Sequence, residues 1–329
     1  MEGSRMRVGR LTVAPQVAVL VLILVALVIY PWLFTRSFPV HLMIVIFIYA
    51  GVATGWNILG GYAGQVSLGH AVYFGLGAYA STVLSTKWGI TPWLGMFVGG
   101  AIAVLISLLI GYPCFKLGGR YFSIATLVLG EVMATIFLNW RWVGGAVGVF
   151  IPMVEESFLA MQFHSSKIPY YYIALVFLIV SVAINYLVDK SQFGYYLRAI
   201  KGDPVAAHSL GINLTKYKLM AMSVSAFLGA IGGTLYGNYV MYIDPTTVMY
   251  NTQSTLIMLF AAFGGMGSLF GPTLGTFVLY PMGELTRAYL GGGGRAVNLI
   301  IYGALVLIVA LYQPGGLVAW FRQLTRKRG

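Results

Sequence analysis

Residues 189–218 read DKSQFGYYLRAIKGDPVAAHSLGINLTKYK, and the rest of the chain is understood outward from them. Seven charged side chains fall within these thirty positions, five basic (Lys190, Arg198, Lys201, Lys216, Lys218) and two acidic (Asp189, Asp203). The runs on either side are almost free of charge. Over the whole 329-residue chain 59% of residues are hydrophobic and only 9% charged, against roughly 25% charged in a soluble domain. Such a chain cannot cover its surface with side chains that water accepts, so the sequence predicts an all-α polytopic membrane protein. The island must then stand in water, and its Lys/Arg excess assigns it to the cytoplasmic side.

A membrane span needs about 20 apolar residues, and the uncharged intervals are counted on that basis. They predict about ten transmembrane helices, with eight or nine if a glycine-rich break is re-entrant. The expected spans start at 11–35 and continue with two in 37–86, divided by GGYAG at 60–64. Further spans follow at 88–115, 121–140, 168–188 and 219–243, two shorter ones in 245–283 broken at GGMGSLFGP (264–272), and one at 296–312. The expected organisation is a tail at 1–10, a transmembrane domain at 11–313 with a cytoplasmic loop at 189–218, and a basic tail at 314–329. With both termini cytoplasmic, the inside segments hold 14 of the 20 Lys/Arg, the asymmetry expected of a correctly oriented chain. The two glycine-rich breaks fall at cytoplasmic ends, which is compatible with the internal duplication seen in transporters.

Composition removes several functional classes. The formal net charge of +12 is spread over segment ends, without the basic patch and interleaved aromatics of a nucleic-acid surface. Arg5, Arg7 and Arg10 precede an apolar run too long for a signal peptide core, so the first span is expected to be uncleaved. The single cysteine, Cys114, excludes an internal disulfide and a cysteine metal cluster. No lysine follows a glycine anywhere, so a phosphate-binding P-loop is absent. His41, His70, His164 and His208 have no metal-site spacing. Among the eight carboxylates, Glu155 and Glu156 are adjacent in a connecting loop and read as a solvated pair. Glu284 and Arg287 are spaced for a mutual ion pair. No catalytic residue, metal site or bound cofactor is expected.

Four polar positions inside spans remain as candidates for a translocation pathway. Glu131 lies near mid-bilayer depth, where a carboxylate is costly and faces a cavity or a partner. It either lines a pathway or locks two helices by a hydrogen bond, against Asn139 or Gln65. Gln65, Ser67 and His70 open a span rich in small residues and either line a path for a polar solute or bond between helices. Within the island, Asp203-Pro204 is a helix start, since Asp caps and Pro at the first position costs no hydrogen bond. Gly211 supplies a C-cap. The short helix between them, with Ala206, Ala207 and Leu210, either docks a soluble partner or packs on its own chain.

Ala206-Ala207 followed by Gly211 in a cytoplasmic loop resembles the motif by which ABC-importer permeases engage their ATPase subunits, with Val205 where that motif has Glu. GWNILGGYAGQVSLGHAVYFGLGAYAS (55–81), GRYFSIATLVLGEV (119–132), GYYLRAIKGDPVAAHSLGINLTKYKLMAMSVSAFLGAIGGTLYG (194–237) and GGMGSLFGPTLG (264–275) resemble branched-chain amino acid permeases of the LivM type. The resemblance covers about residues 39–316. It implies an ABC-importer permease fold in a bacterial inner membrane, and a permease subunit that is not itself an enzyme. It also implies a second, LivH-type permease, two ATP-binding subunits that use ATP and Mg, and a periplasmic solute-binding protein, all within membrane lipid. The implied solutes are leucine, isoleucine and valine, with urea, short amides or aromatic acids as family alternatives. Asp203, Pro204, Ala206, Ala207, Leu210 and Gly211 then couple the permease to its ATPases. A stand-alone proton-coupled transporter using Glu131 is the alternative of another class.

Overall fold

The computed structural model describes residues 15–34, 36–117, 119–290, 300, 303, 304, 307 and 315–320. Its helices are α1 (Pro15–Leu33), α2 (Ser37–Asn57), α3 (Ala71–Trp88), α4 (Pro92–Leu117), α5 (Gly119–Asn139) and α6 (Ile168–Lys190). They continue with α7 (Gln192–Gly202), α8 (Pro204–Ser209), α9 (Leu214–Val240), α10 (Pro245–Val248), α11 (Asn251–Gly264) and α12 (Gly271–Leu290). Sheet among the described residues is confined to one antiparallel pair, β1 (Val149–Phe150) with β2 (Tyr242–Ile243). The chain is an all-α membrane protein. Five described helices are long and apolar enough to cross a membrane: α2 extended to Tyr62, α4, α5, α6 and α9. Helices α1, α3, α11 and α12 fall where the sequence puts further spans. The tenth expected span, 296–312, lies almost wholly outside the described residues. So does the tail at 1–10, and of the tail at 314–329 only 315–320 is described.

Helix α2 is apolar on every side, and burial follows: from Val45 to Asn57 every residue is buried. It is the central post, with α6, α9, α11 and α12 around it. Beside it, α3, α4 and α9 approach closely because glycines face one another. A Cβ on Gly77 would lie 2.0 Å from the Ala230 carbonyl oxygen, and one on Gly99 3.0 Å from the Gly77 Cα. In lipid, small residues of this kind let helices gain van der Waals contact that apolar bulk alone does not drive. Thr234 Oγ1 donates to the Gly77 carbonyl across the same crossing at 2.9 Å. Helix α5 is the opposite case, with Tyr121, Ile124, Val128, Val132 and Ile136 all exposed along one side.

The glycines at 60 and 61 do not form the expected break. The chain stays helical through a π-turn at Ile58–Tyr62, and both glycines are buried in it. A Cβ on Gly60 would meet the Trp56 ring at 2.3 Å, and one on Gly61 the Gly267 nitrogen at 2.5 Å. They are sites of close approach, and the non-helical backbone begins only beyond them, at 63–69, with Gly64 at φ +68°. The second break does fall at Gly265–Phe270, between α11 and α12, with Gly265 and Gly267 at positive φ.

At the opposite end from the charged loop, residues 141–167 form a folded cap. Val149 pairs with Ile243 and Phe150 with Tyr242. Glu156 is not a free solvated carboxylate: it accepts from the His164 nitrogen (2.6 Å), from Ser165 Oγ (2.7 Å) and from the Ser165 nitrogen. The Ser165 hydroxyl and amide, aided by the His164 amide, hold the Glu156 carboxyl below the ordinary Glu value. A depressed folded value means that the contribution is complete above the unfolded Glu pKa of about 4.3 and is lost as pH falls through the lower folded value. Hydrogen exchange at the His164 and Ser165 amides therefore shows protection at pH 6 that fades on acidification below pH 4. Glu156→Gln lacks that protection at both pH values, and unchanged exchange in this variant would refute the role. Arg287, the expected partner of Glu284, lies outside the described side chains.

Candidate functional site

The charged loop folds as two helices separated by one residue. Its first helix, α7, was not foreseen, although Phe193, Leu197 and Ile200 repeat at helical spacing; Leu197 and Ile200 are fully buried. Ser191 Oγ caps it by accepting from the Gly194 nitrogen at 3.2 Å. Arg198 Nη1 reaches the Asp189 carboxylate at 2.5 Å, and Nη2 donates to the Asp189 carbonyl at 2.7 Å. These bonds fold the loop back on the end of α6. Asp203 Oδ1 accepts from the nitrogens of Val205 (2.8 Å) and Ala206 (3.1 Å), so Asp203-Pro204 starts α8 as its chemistry dictates. Gly211 follows at φ +83°, with nothing within 4 Å of where its Cβ would be. Ala207 turns inward and is buried, whereas Val205 is 76% and Leu210 80% exposed. All of 203–210 except Ala207 is exposed, and Val205, Ala206 and Leu210 are the apolar part of that open surface.

From α7 the loop reaches both breaks. Lys201 Nζ donates to the Gly61 carbonyl at 2.8 Å, and its stem lies against Gly64. Asn57, one turn before Gly61, accepts from the Gly267 nitrogen at 2.8 Å and donates to the Ser268 carbonyl at 3.0 Å. Asn185 Nδ2 donates to the Leu269 carbonyl at 3.3 Å. The end of α2, the backbone between α11 and α12, and α7 thus form one hydrogen-bonded junction. Asn57 and Lys201 were not picked out from the sequence. An amide in a run otherwise free of charge, just before Gly60 and Gly61, is the signal that could have marked Asn57.

The non-helical segment 63–69 carries Gln65 and Ser67, with His70 just after it. Non-helical backbone buried between helices needs partners from the protein, and hydroxyls from α5 and α11 supply them. Thr126 Oγ1 accepts from the Leu68 nitrogen (3.1 Å), Ser123 Oγ donates to the Val66 carbonyl (2.6 Å), and Ser254 Oγ accepts from the Ala71 nitrogen (2.8 Å). Ser67 is buried, with its carbonyl taken by Trp56 Nε1 at 2.9 Å. His70 is buried and bonded through Nε2 to Ser225 Oγ at 2.7 Å. Ser67 Oγ and His70 Nδ1 are buried without a hydrogen-bond partner among the described residues, while Gln65 is half-buried. Glu131 bonds to neither Asn139 nor Gln65. Its Oε1 accepts from Asn251 Nδ2 at 2.7 Å, which ties α5 to the start of α11 on an exposed face. Close approach is allowed by Gly130, whose Cβ would sit 2.8 Å from Asn251 Oδ1.

No group of three His, Cys, Asp or Glu that could hold a metal occurs among the described residues. Apolar spans, a part-buried hydrogen-bonded junction between them and a capped helix left open at one end are the architecture of a multi-pass membrane permease. The chain belongs to the family of branched-chain amino acid transport system permease components, whose pattern matches residues 38–310, a family of transport proteins rather than enzymes. It is 25% identical to the high-affinity branched-chain amino acid transport system permease protein LivM of Salmonella typhimurium, over 94% of this chain and 77% of that one. It is 24% identical to LivH of the same organism, over 82% of this chain and 91% of the relative. It is also 24% identical to the nucleoside ABC transporter permease protein NupC of Lactococcus lactis, over 64% and 71%. No solved structure matches the chain.

Proposed function

We propose that the chain is one membrane subunit of an ATP-driven importer for branched-chain amino acids. In this reading it pairs with a LivH-type permease, two ATP-binding subunits that hold ATP and Mg, and a periplasmic binding protein that delivers the solute. It lies in the inner membrane with both termini and the loop at 189–218 in the cytoplasm. The observation that carries the reading is the continuous path from the open face of α8, through α7, to Lys201 and the two breaks. Movement of α8 by a docked ATPase pulls on the Gly61 carbonyl and, through Asn57, on Gly267 and Ser268 together. The exposed side of α5, with Glu131 and Asn251, faces the second permease and the solute path. The names of LivM and LivH favour leucine, isoleucine and valine; NupC supports nucleosides as the rival cargo within the same mechanism.

The test is reconstitution of the chain with these partners in proteoliposomes. Labelled leucine enters only with ATP inside, and Lys201→Met keeps the complex assembled while lowering uptake at least tenfold relative to ATP hydrolysed. Uptake by this chain alone under a pH gradient, abolished in Glu131→Gln, would overturn the reading in favour of a proton-coupled transporter.

A further inference from the structure

Between the last turns of α4 and the first turns of α9 lies a groove of about 810 Å³, in the 300–1,000 Å³ range of small-molecule sites. It opens on the same end of the molecule as the charged loop, where the spans meet water. Lys116 stands on one bank and Lys216 on the other. Both are exposed, and neither is ion-paired to a described carboxylate. Lys116 lies over the Tyr112 ring, its Nζ 4.4 Å from the centroid, which holds the ammonium at the groove's rim. Away from the lysines the wall turns apolar through Leu108, Leu219 and Met220, and Leu108 and Met220 are 39% and 44% exposed.

We infer that this groove is a binding site for an anionic phospholipid of the leaflet on the charged-loop side. The two ammonium groups take the phosphate and its neighbouring negative charge, and the acyl chains lie along the wall of Leu108, Leu219 and Met220. Each half explains the other. Two uncompensated cations at a membrane surface attract anionic headgroups, and an apolar wall continuous with the hydrocarbon is filled by lipid chains rather than water. A soluble phosphate satisfies the lysines and leaves the wall bare. The site is separate from the junction of Lys201 with the breaks and does not depend on which solute the permease carries.

Native mass spectrometry of the full chain, released from micelles after mixing with defined lipids, tests this. Phosphatidylglycerol stays bound through delipidation in preference to phosphatidylcholine, and glycerol 3-phosphate at equal concentration does not displace it. Lys116→Gln and Lys216→Gln each weaken phosphatidylglycerol retention by about fivefold, the effect of one basic residue near a charged surface. Lys87→Gln, at the far end beside Trp142, leaves retention unchanged. Equal retention of the two lipids, or wild-type retention in the Lys116→Gln/Lys216→Gln double variant, would overturn the inference. Displacement by glycerol 3-phosphate would do so too, by showing a soluble-phosphate site. Both lysines are exposed, so folding of the variants is checked by an unchanged elution profile.

Discussion

Gly233→Ala and Gly77→Ala each leave little protein that survives detergent extraction as a single species, whereas Gly202→Ala behaves as wild type. The reason is reciprocal contact at the crossing of α3 and α9. A Cβ on Gly233 would lie 1.8 Å from the Phe74 carbonyl oxygen, and one on Gly77 2.0 Å from that of Ala230. A carbon and a carbonyl oxygen touch at roughly 3.3 Å. The atom struck is backbone in mid-helix, so no rotamer change relieves the clash and the helices must move apart by more than an ångström. Overpacking costs about 1–3 kcal/mol when side chains can shift; here the cost reaches or exceeds the top of that range. Separation also lengthens the bond from Thr234 Oγ1 to the Gly77 carbonyl. A Cβ on Gly202 meets nothing within 4 Å, so that variant controls for loss of glycine as such. Thermal scans monitored by size-exclusion fluorescence distinguish the three, and a wild-type melting profile in Gly233→Ala would contradict the packing account.

The same glycines show where reading the sequence succeeds and where it stops. Five of the expected spans are legible because lipid demands long apolar runs, and α8 is legible because Asp203, Pro204 and Gly211 act on neighbours within a few positions. Gly60 and Gly61 were read as a break, since a glycine written in a sequence looks the same whether it frees a turn or admits another backbone. Only the Trp56 ring and the Gly267 backbone beside them decide the matter. The junction was illegible for a related reason. Lys201 meets Gly61 across 140 positions, Glu131 meets Asn251 across 120, and Asn57 meets Gly267 across 210. No local period or motif links such pairs. Glu131 was conspicuous as a carboxylate in an apolar helix, but its partner had to come from the fold. Ala207 likewise stood with Ala206 and Leu210 on one small apolar helix, and only packing shows that it turns inward.

Leu210→Asp separates docking from folding and carries the other large effect. Leu210 is 80% exposed and Val205 beside it 76%, so a carboxylate at position 210 stays in water while the chain is alone, and insertion and melting behaviour are unchanged. Under the proposed function that surface is covered by an ATP-binding subunit. A charge pressed without a partner into an apolar contact costs several kcal/mol, and each 1.4 kcal/mol is tenfold in affinity. The ATPase subunits should therefore be lost from the purified complex, with affinity lowered by two to three orders of magnitude and ATP-dependent uptake lost with it. Leu210→Ala gives up only the buried side-chain area, about 1.5–3 kcal/mol, and weakens assembly correspondingly less. Ala207→Asp fails by another route: its side chain is buried against the protein itself, so the variant disorders the loop whether or not an ATPase is present. The ordering of the three variants is the test. Leu210→Asp that still co-purifies with the ATPases and transports normally removes α8 as the docking element, and intact assembly with uptake lost would instead move its role from docking to transmission through Lys201.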